Sequence, residues 1–213
     1  MNSKKIELTV YDFDGTMYNG DSFIDFWKFM LRKKPWLIII APYWFFRTML
    51  HVFRFISDLQ LKSSFLMVID NVSISAVQAF VKEFWETHEN KINPWVYDAL
   101  QKDQEKKRVI ICISASPSFL LNPIAEKLNL DALIATDFLV LKNRQYNKPV
   151  TLNCKSEEKI NRLNEWAEIK KVSYSIKDFY SDSKADIPLY RISEMRYFVK
   201  NGIVSEKPLF DIT

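Results

Sequence analysis

Three glycines, two cysteines and two histidines are all that this 213-residue chain holds of the residue types that build most compact cofactor sites. Average usage would give roughly fifteen glycines in such a length. Gly15, Gly20 and Gly202 form neither G-x-G-x-x-G nor G-x-x-x-x-G-K, which excludes a glycine-rich nucleotide cradle. Cys112 and Cys154 lie 42 positions apart, and His51 and His88 lie 37 apart, so neither C-x-x-C nor H-x-x-x-H can form. Zinc fingers and paired-histidine zinc hydrolases are excluded with them. Charge of one sign is also scarce, since 30 basic side chains against 26 acidic ones leave only +4 and there is no basic arm. Nucleic acid is not an expected partner.

The opening MNSKKIELTV has no apolar core of the kind a secretion signal needs and looks like the approach to a strand. Two widely spaced cysteines, with Cys112 inside an apolar run and expected in the core, fit a reducing compartment, so a cytoplasmic location is expected. No apolar run reaches the ~18 residues of a membrane span. The longest stretch without charge is Pro35–Phe46, PWLIIIAPYWFF, twelve residues interrupted by Pro42. It is either buried core or an interfacial segment, with Trp36, Tyr43 and Trp44 at headgroup depth and Arg32, Lys33, Lys34, Arg47, His51 and Arg54 beside it. In the second case the protein would sit peripherally at the inner face of the membrane.

What is present falls into three stretches. Residues 5–11 are apolar and β-prone and end abruptly at Asp12-Phe13-Asp14-Gly15-Thr16. From about 17 to 105 the spacing turns helical, as in Phe23, Phe26, Trp27, Met30 and Leu31, and again in Val77, Phe80, Val81 and Phe84. Asn93 and Pro94 suggest a further helix start, and His88 is expected on a helix surface. This insert holds 18 of the 31 aromatic residues. After residue 106, strand and helix alternate. Strands are expected at 108–113, 133–135, 178–181 and 196–199, with a hairpin from Phe138–Leu141 to Tyr146–Leu152. Helices are expected to open at Ser116-Pro117 and at Ser156. The fold class is therefore α/β, a Rossmann-like doubly wound parallel sheet with an inserted helical cap. Residues 1–16 and 106–213 are assigned to the sheet domain and 17–105 to the cap.

Ligands of such sheets bind at the carboxyl ends of the strands. There the sequence places Asp12, Asp14, Thr16, Ser114, Asp182 and Asp186, with Lys159 at the start of a following helix. Carboxylates converging on one sheet edge repel unless a cation offsets them. Magnesium fits, because it takes one or two carboxylates together with water and phosphate oxygens. Thr16, Ser114 and Lys159 are suited to the remaining oxygens of a phosphate ester. With no histidine nearby, the nucleophile should be a carboxylate, Asp12, and Asp14 can serve as acid and then base. By itself Ser114 would be a helix cap and Lys159 a solvated lysine, and Asp186 either touches the metal or only caps the next helix or orients Lys159.

These residues resemble the haloacid dehalogenase-like hydrolases, in particular the phosphoserine-phosphatase-like branch. DFDGT at 12–16 resembles the first motif and ISAS at 113–116 the second. NCKSEEKINRL at 153–163 resembles the third and YSDSKADIP at 180–188 the fourth. The resemblance implies that Asp12 accepts the phosphoryl group and Asp14 is the acid/base. It also implies magnesium held by Asp12, the Asp14 backbone carbonyl and Asp182. Lys155 and Ser181 depart from the pattern, standing where glycine is common. The insert resembles the family's cap, which closes over the sheet edge.

The expected activity is magnesium-dependent hydrolysis of a small phosphate monoester such as phosphoserine. The alternative is a lipid phosphatase at the membrane surface, resembling phosphatidylglycerophosphatases. A phosphotransferase and a non-catalytic phosphate-binding module are further readings.

Overall fold

The computed structural model describes residues 4–208 and Phe210. Its centre is a six-stranded sheet built from β1 (Lys4–Tyr11), β3 (Val109–Pro117), β4 (Ala132–Thr136), β7 (Val172–Ser181), β8 (Ser193–Lys200) and β9 (Ile203–Ser205). The spatial order is β4-β3-β1-β7-β8-β9. The first five run parallel, and β9 closes one edge antiparallel to β8. From β1 the chain reaches β3 and β4 on one side and then returns to β7 and β8 on the other. The carboxyl end of β1 is thus the point where the strand order reverses, the place such sheets offer to ligands.

Side-chain alternation assigns the two faces. Tyr11, Ile110 and Cys112 point into one core, and Leu8, Val10, Ile111, Ile113 and Ile176 into the other. Burial on both sides explains the unbroken apolar character of residues 109–113. Helices α5 (Pro94–Glu105) and α6 (Ser118–Lys127) cover the first face. Helices α7 (Glu157–Lys170) and α8 (Ile187–Ile192) cover the second. Buried Asp103 fastens α5 by accepting from Thr9 Oγ1 at 2.8 Å and Tyr11 Oη at 2.6 Å.

Above the strand ends lie α1 (Ser22–Lys33), a 3-10 turn at Pro35–Ile40, α2 (Ala41–Val52), α3 (Asp58–Phe65) and α4 (Ile74–His88). Each has a local cause. Asp21 caps α1 by accepting from Ile24 N at 2.9 Å, and Ser57 with Gln60 makes a capping box for α3. Phe23, Phe26 and Met30 of α1 and Val77, Val81 and Phe84 of α4 present apolar stripes at helical spacing. Fully burying one such side chain contributes roughly 1.5–3 kcal/mol. Trp85 Nε1 donates to Leu120 O at 2.7 Å, tying α4 to α6. A two-residue strand, β2 (Val72–Ser73), pairs with the hairpin of β5 (Phe138–Leu141) and β6 (Arg144–Pro149), so residues on both sides of position 106 share a small second sheet.

Several local expectations change. Strand β3 runs on through Pro117, and its helix begins at Ser118. Asn93 does not cap α5 with its side chain; its Nδ2 donates instead to Thr16 O at 2.7 Å. Ser156 precedes α7 with φ at 56° and makes no side-chain cap. His88 is half-buried and stacks on Phe84 rather than lying on the open surface. Within Pro35–Phe46 Trp44 is buried in the core and Leu37, Ile40 and Ala41 pack partly against it, while Trp36, Ile38, Ile39, Tyr43, Phe45 and Phe46 are exposed, so at least half of the stretch is left uncovered.

Candidate active site

Strand β1 ends at Tyr11, and Asp12 N still bonds to Tyr180 O of β7 at 2.9 Å, which fixes the first acidic residue at the sheet edge. Its carboxylate meets a single buried cation: Lys159 Nζ donates to Asp12 Oδ1 at 2.7 Å and to Asp186 Oδ2 at 2.8 Å. Ser181 Oγ also donates to Asp186 Oδ2, at 2.6 Å. Asp186 therefore orients Lys159. Ser181, a departure from the family pattern, supports Asp186.

Asp14 lines the same cavity. Its Oδ1 accepts from Ser22 N at 2.6 Å, at the start of α1, and its Oδ2 from Ser116 Oγ at 2.5 Å. Ser114, at the end of β3, is buried, lines the cavity and accepts from Ser116 N at 3.0 Å. Thr16 is fully buried and does not line the cavity. Its Oγ1 accepts from Asp182 N at 3.0 Å and lies 3.4 Å from Asp12 Oδ2, so it braces the two carboxylates. Asp182 packs against Gly15, whose φ of +76° and missing side chain make room for it.

The charges are out of balance. Asp12, Asp182 and Asp186 gather around one lysine. Burial pushes the Asp12 carboxyl up to about 7; Lys159 opposes this, while Asp186 and Asp182 add to it. Asp182 is likewise raised, by burial first and then by Asp186 and Asp14. Lys159 moves the opposite way to the usual buried lysine: burial lowers its pKa, but the two carboxylates outweigh that and hold it charged. A site short of positive charge, with carboxylate oxygens facing a cavity, suits a hard divalent cation. No three His, Cys, Asp or Glu side chains among the described residues could hold a metal by themselves. Magnesium on Asp12 and Asp182, completed by backbone, water and substrate oxygens, needs only two.

The cavity holds about 410 Å³ and lies between the strand ends and the cap. Besides the residues above it is lined by Phe23, Ile24, Leu61 and Phe65 and by Asp21 and Lys62. Sequence reasoning missed Asp21, Lys62 and Ser116. Asp21 stands next to a helical run, and ISAS already displayed Ser116, but nothing in the sequence links Lys62 to the sheet. Lys62 Nζ donates to Ala115 O at 2.7 Å, reaching from α3 to the end of β3. Burial lowers its pKa, against the pull of Asp14 and Asp21. Lys155, the other departure, donates to Asp58 Oδ2 at 2.5 Å and forms a second link between the sheet domain and α3.

The carboxylate–lysine cluster stands at the switch point of a parallel sheet, where folds of this class bind their ligands. Residues 9–191 match the haloacid dehalogenase-like hydrolases, and the chain belongs to that family. No curated protein matches it. Among solved structures it is similar to a protein of unknown function from Bordetella pertussis Tohama I, with 20% identity, 92% of this chain and 89% of that one covered, and a TM-score of 0.78. It is also similar to a phosphoserine phosphatase solved as a phospho-aspartyl intermediate analogue, at 16% identity, 91% and 86% coverage and a TM-score of 0.60. A phosphoserine phosphohydrolase-like protein from Francisella tularensis subsp. tularensis SCHU S4 shares 18% identity over 87% and 82% of the two chains, with a TM-score of 0.59. At these identities the likeness is one of fold.

Proposed function

We propose that the protein is a magnesium-dependent phosphatase that hydrolyses phosphate monoesters through an aspartyl-phosphate on Asp12. The observation that carries this is the meeting of Asp12, Asp14, Ser114, Lys159 and Asp182, from four separate parts of the chain, around one cavity. An Asp12 carboxylate oxygen attacks phosphorus, the ester P–O bond breaks, and Asp14 gives its proton to the departing oxygen. Asp14 then takes a proton from water as that water attacks phosphorus, releasing inorganic phosphate and restoring Asp12. Lys159 and Ser114 face the transferring oxygens, where a fixed charge and hydroxyl favour the transition state. When bound, magnesium supplies charge stabilisation on the phosphoryl oxygens and shields Asp12 from its acidic neighbours.

Asp21 and Lys62, of opposite charge, lie on the cap side of the cavity, where they suit a small substrate carrying both an ammonium and a carboxylate. Phosphoserine has that chemistry, and the phosphoserine phosphatases of similar fold support it. A second reading, a lipid phosphate ester, is favoured by one observation, the exposure of Trp36, Ile39, Phe45 and Phe46 on the cap. The test of the chemistry is the fate of Asp12. Acid quenching during turnover of a labelled aryl phosphate should leave label on the peptide containing Asp12, and Asp12→Asn should carry none and show no turnover. Turnover with an unlabelled Asp12 would overturn the covalent route.

A further inference from the structure

From Phe26 to Ser57 the chain has six lysines and arginines and no carboxylate. Elsewhere 24 basic side chains face 26 acidic ones, so the entire positive surplus of the protein lies in these 32 residues. The same segment carries its most exposed apolar surface. Of 18 large hydrophobic residues exposed among those described, nine lie between Trp36 and Phe55. Ile39 is 84% exposed, Phe55 76% and Phe45 67%, whereas Trp44, on the opposite side of α2, is 3% exposed.

Helix geometry accounts for this division. Trp44, Thr48 and His51 recur at i, i+4 and i+7, and Trp44 Nε1 donates to Ser64 O at 2.9 Å, so this stripe packs toward α3. Pro42, Phe45, Phe46, Met49, Val52 and Phe53 occupy the other side and continue into Phe55. Contiguous apolar surface of this kind marks an interaction site. Arg32, just before the exposed apolar segment in the chain, and Arg54, between Phe53 and Phe55, are exposed and pair with no carboxylate among the described residues. Among the described residues no helix is long and apolar enough to cross a membrane.

We propose that this face of the cap is a docking surface for the anionic leaflet of a lipid bilayer, and that this favours the second of the two substrate readings, a phosphate monoester borne by a membrane lipid, over a small soluble phosphate ester. Branched and aromatic side chains would enter the acyl boundary, with Trp36 and Tyr43 at headgroup depth and Arg32 and Arg54 on lipid phosphates. A protein partner would have to offer a wholly acidic rim around a large apolar centre, whereas an anionic leaflet has both properties everywhere. Location joins the surface to the site: His51 lines the cavity, and the next two residues, Val52 and Phe53, are exposed. The identity of the substrate rests on the phosphatase reading; docking does not.

The experiment combines vesicle sedimentation with two hydrolysis assays. Wild type should sediment with vesicles of equimolar phosphatidylcholine and phosphatidylglycerol, less as salt rises, and hardly at all with phosphatidylcholine alone. The triple variant Phe45→Ser, Phe46→Ser, Phe55→Ser and the double variant Arg32→Glu, Arg54→Glu should each lose about 10-fold or more of that binding. Both should hydrolyse a soluble aryl phosphate at the wild-type rate, which also certifies their fold. Hydrolysis of phosphatidic acid in the same vesicles should fall with binding. Asp12→Asn should still sediment while turning over neither substrate. Absence of vesicle binding at low salt, binding unaltered in both surface variants, or a dimer that these variants dissociate would overturn docking. Vesicle binding and aryl phosphate turnover without hydrolysis of phosphatidic acid or of any other lipid monoester would overturn the substrate class. Aryl phosphate turnover by Asp12→Asn would instead refute the reading of the active site and leave docking intact.

Discussion

The carboxylate of Asp182 rests against Gly15 so closely that a methyl group at position 15 would lie 2.1 Å from Asp182 Oδ2. Residues 167 positions apart in the chain thus meet with no room for a side chain between them, and Thr16 holds the Asp182 backbone amide at 3.0 Å. Gly15→Ala must displace Asp182 and also strain a left-handed backbone, at a cost of about 1–2 kcal/mol. We expect the half-saturating magnesium concentration to rise ~10–100-fold, the range seen when groups that orient a metal ligand are lost. A magnesium titration of aryl phosphate hydrolysis measures it; an unchanged midpoint would remove Asp182 from the metal site.

Lys159 is shared by Asp12 and Asp186, at 2.7 and 2.8 Å. Lys159→Met leaves two buried carboxylates without their partner, which should destabilise the fold by about 3–5 kcal/mol. Turnover should fall by ~100-fold or more through loss of charge stabilisation. Urea unfolding and steady-state kinetics give the two quantities. Asp186→Asn should reduce turnover less, because Lys159 keeps Asp12.

Metal binding should depend on pH. Without magnesium, burial raises the Asp12 carboxyl to about 7 even with Lys159 opposing it. Magnesium must displace the carboxyl proton, so its affinity should weaken as pH falls below about 7 and level off above it. Calorimetric titration across that range should show proton release on binding near neutral pH and little at alkaline pH. Chelation should abolish turnover, and added magnesium should restore it.

Asp25 gives a test of stability away from the site. Burial raises its pKa, but hydrogen bonds from Lys91 at 2.6 Å and Tyr18 at 2.9 Å outweigh that, and the net position is below the ordinary 3.8. A carboxyl depressed in the folded state stabilises above its unfolded pKa and loses that contribution as pH falls through the folded one. Asp25→Asn should therefore lower the urea midpoint at neutral pH, with the difference from wild type shrinking below pH ~4.

Much of the site was legible because its chemistry is local to short motifs. DFDGT places two carboxylates and a glycine at the end of an apolar run, and the alternation after residue 106 requires a parallel sheet whose strand ends face one side. The paired use of Asp186 and Lys159 was left open, since a carboxylate before a helix can cap it equally well. Thr16 looked like a phosphate ligand because a hydroxyl beside two aspartates fits that task. The fold instead buries it between Asp12 and Asp182. Lys62 was invisible because its importance lies in reaching Ala115, 53 positions away.

Hydrophobic periodicity and the order of the four motifs determined the fold class and the family, and the motif residues are the ground on which the cap insertion and the carboxylate chemistry are proposed. Periodicity and the make-up of each motif are set by neighbours within a few residues, which is why the chain displays them without its fold. Tertiary structure alone decided how charge is shared among Asp12, Lys159 and Asp186, which cap side chains close the cavity, and which way PWLIIIAPYWFF faces. That last choice could not be made from the chain, because an apolar stretch is equally apolar whether packing covers it or leaves it to another surface. The deciding factor is how much of α2 the neighbouring α3 can shield, and here it shields only the stripe through Trp44.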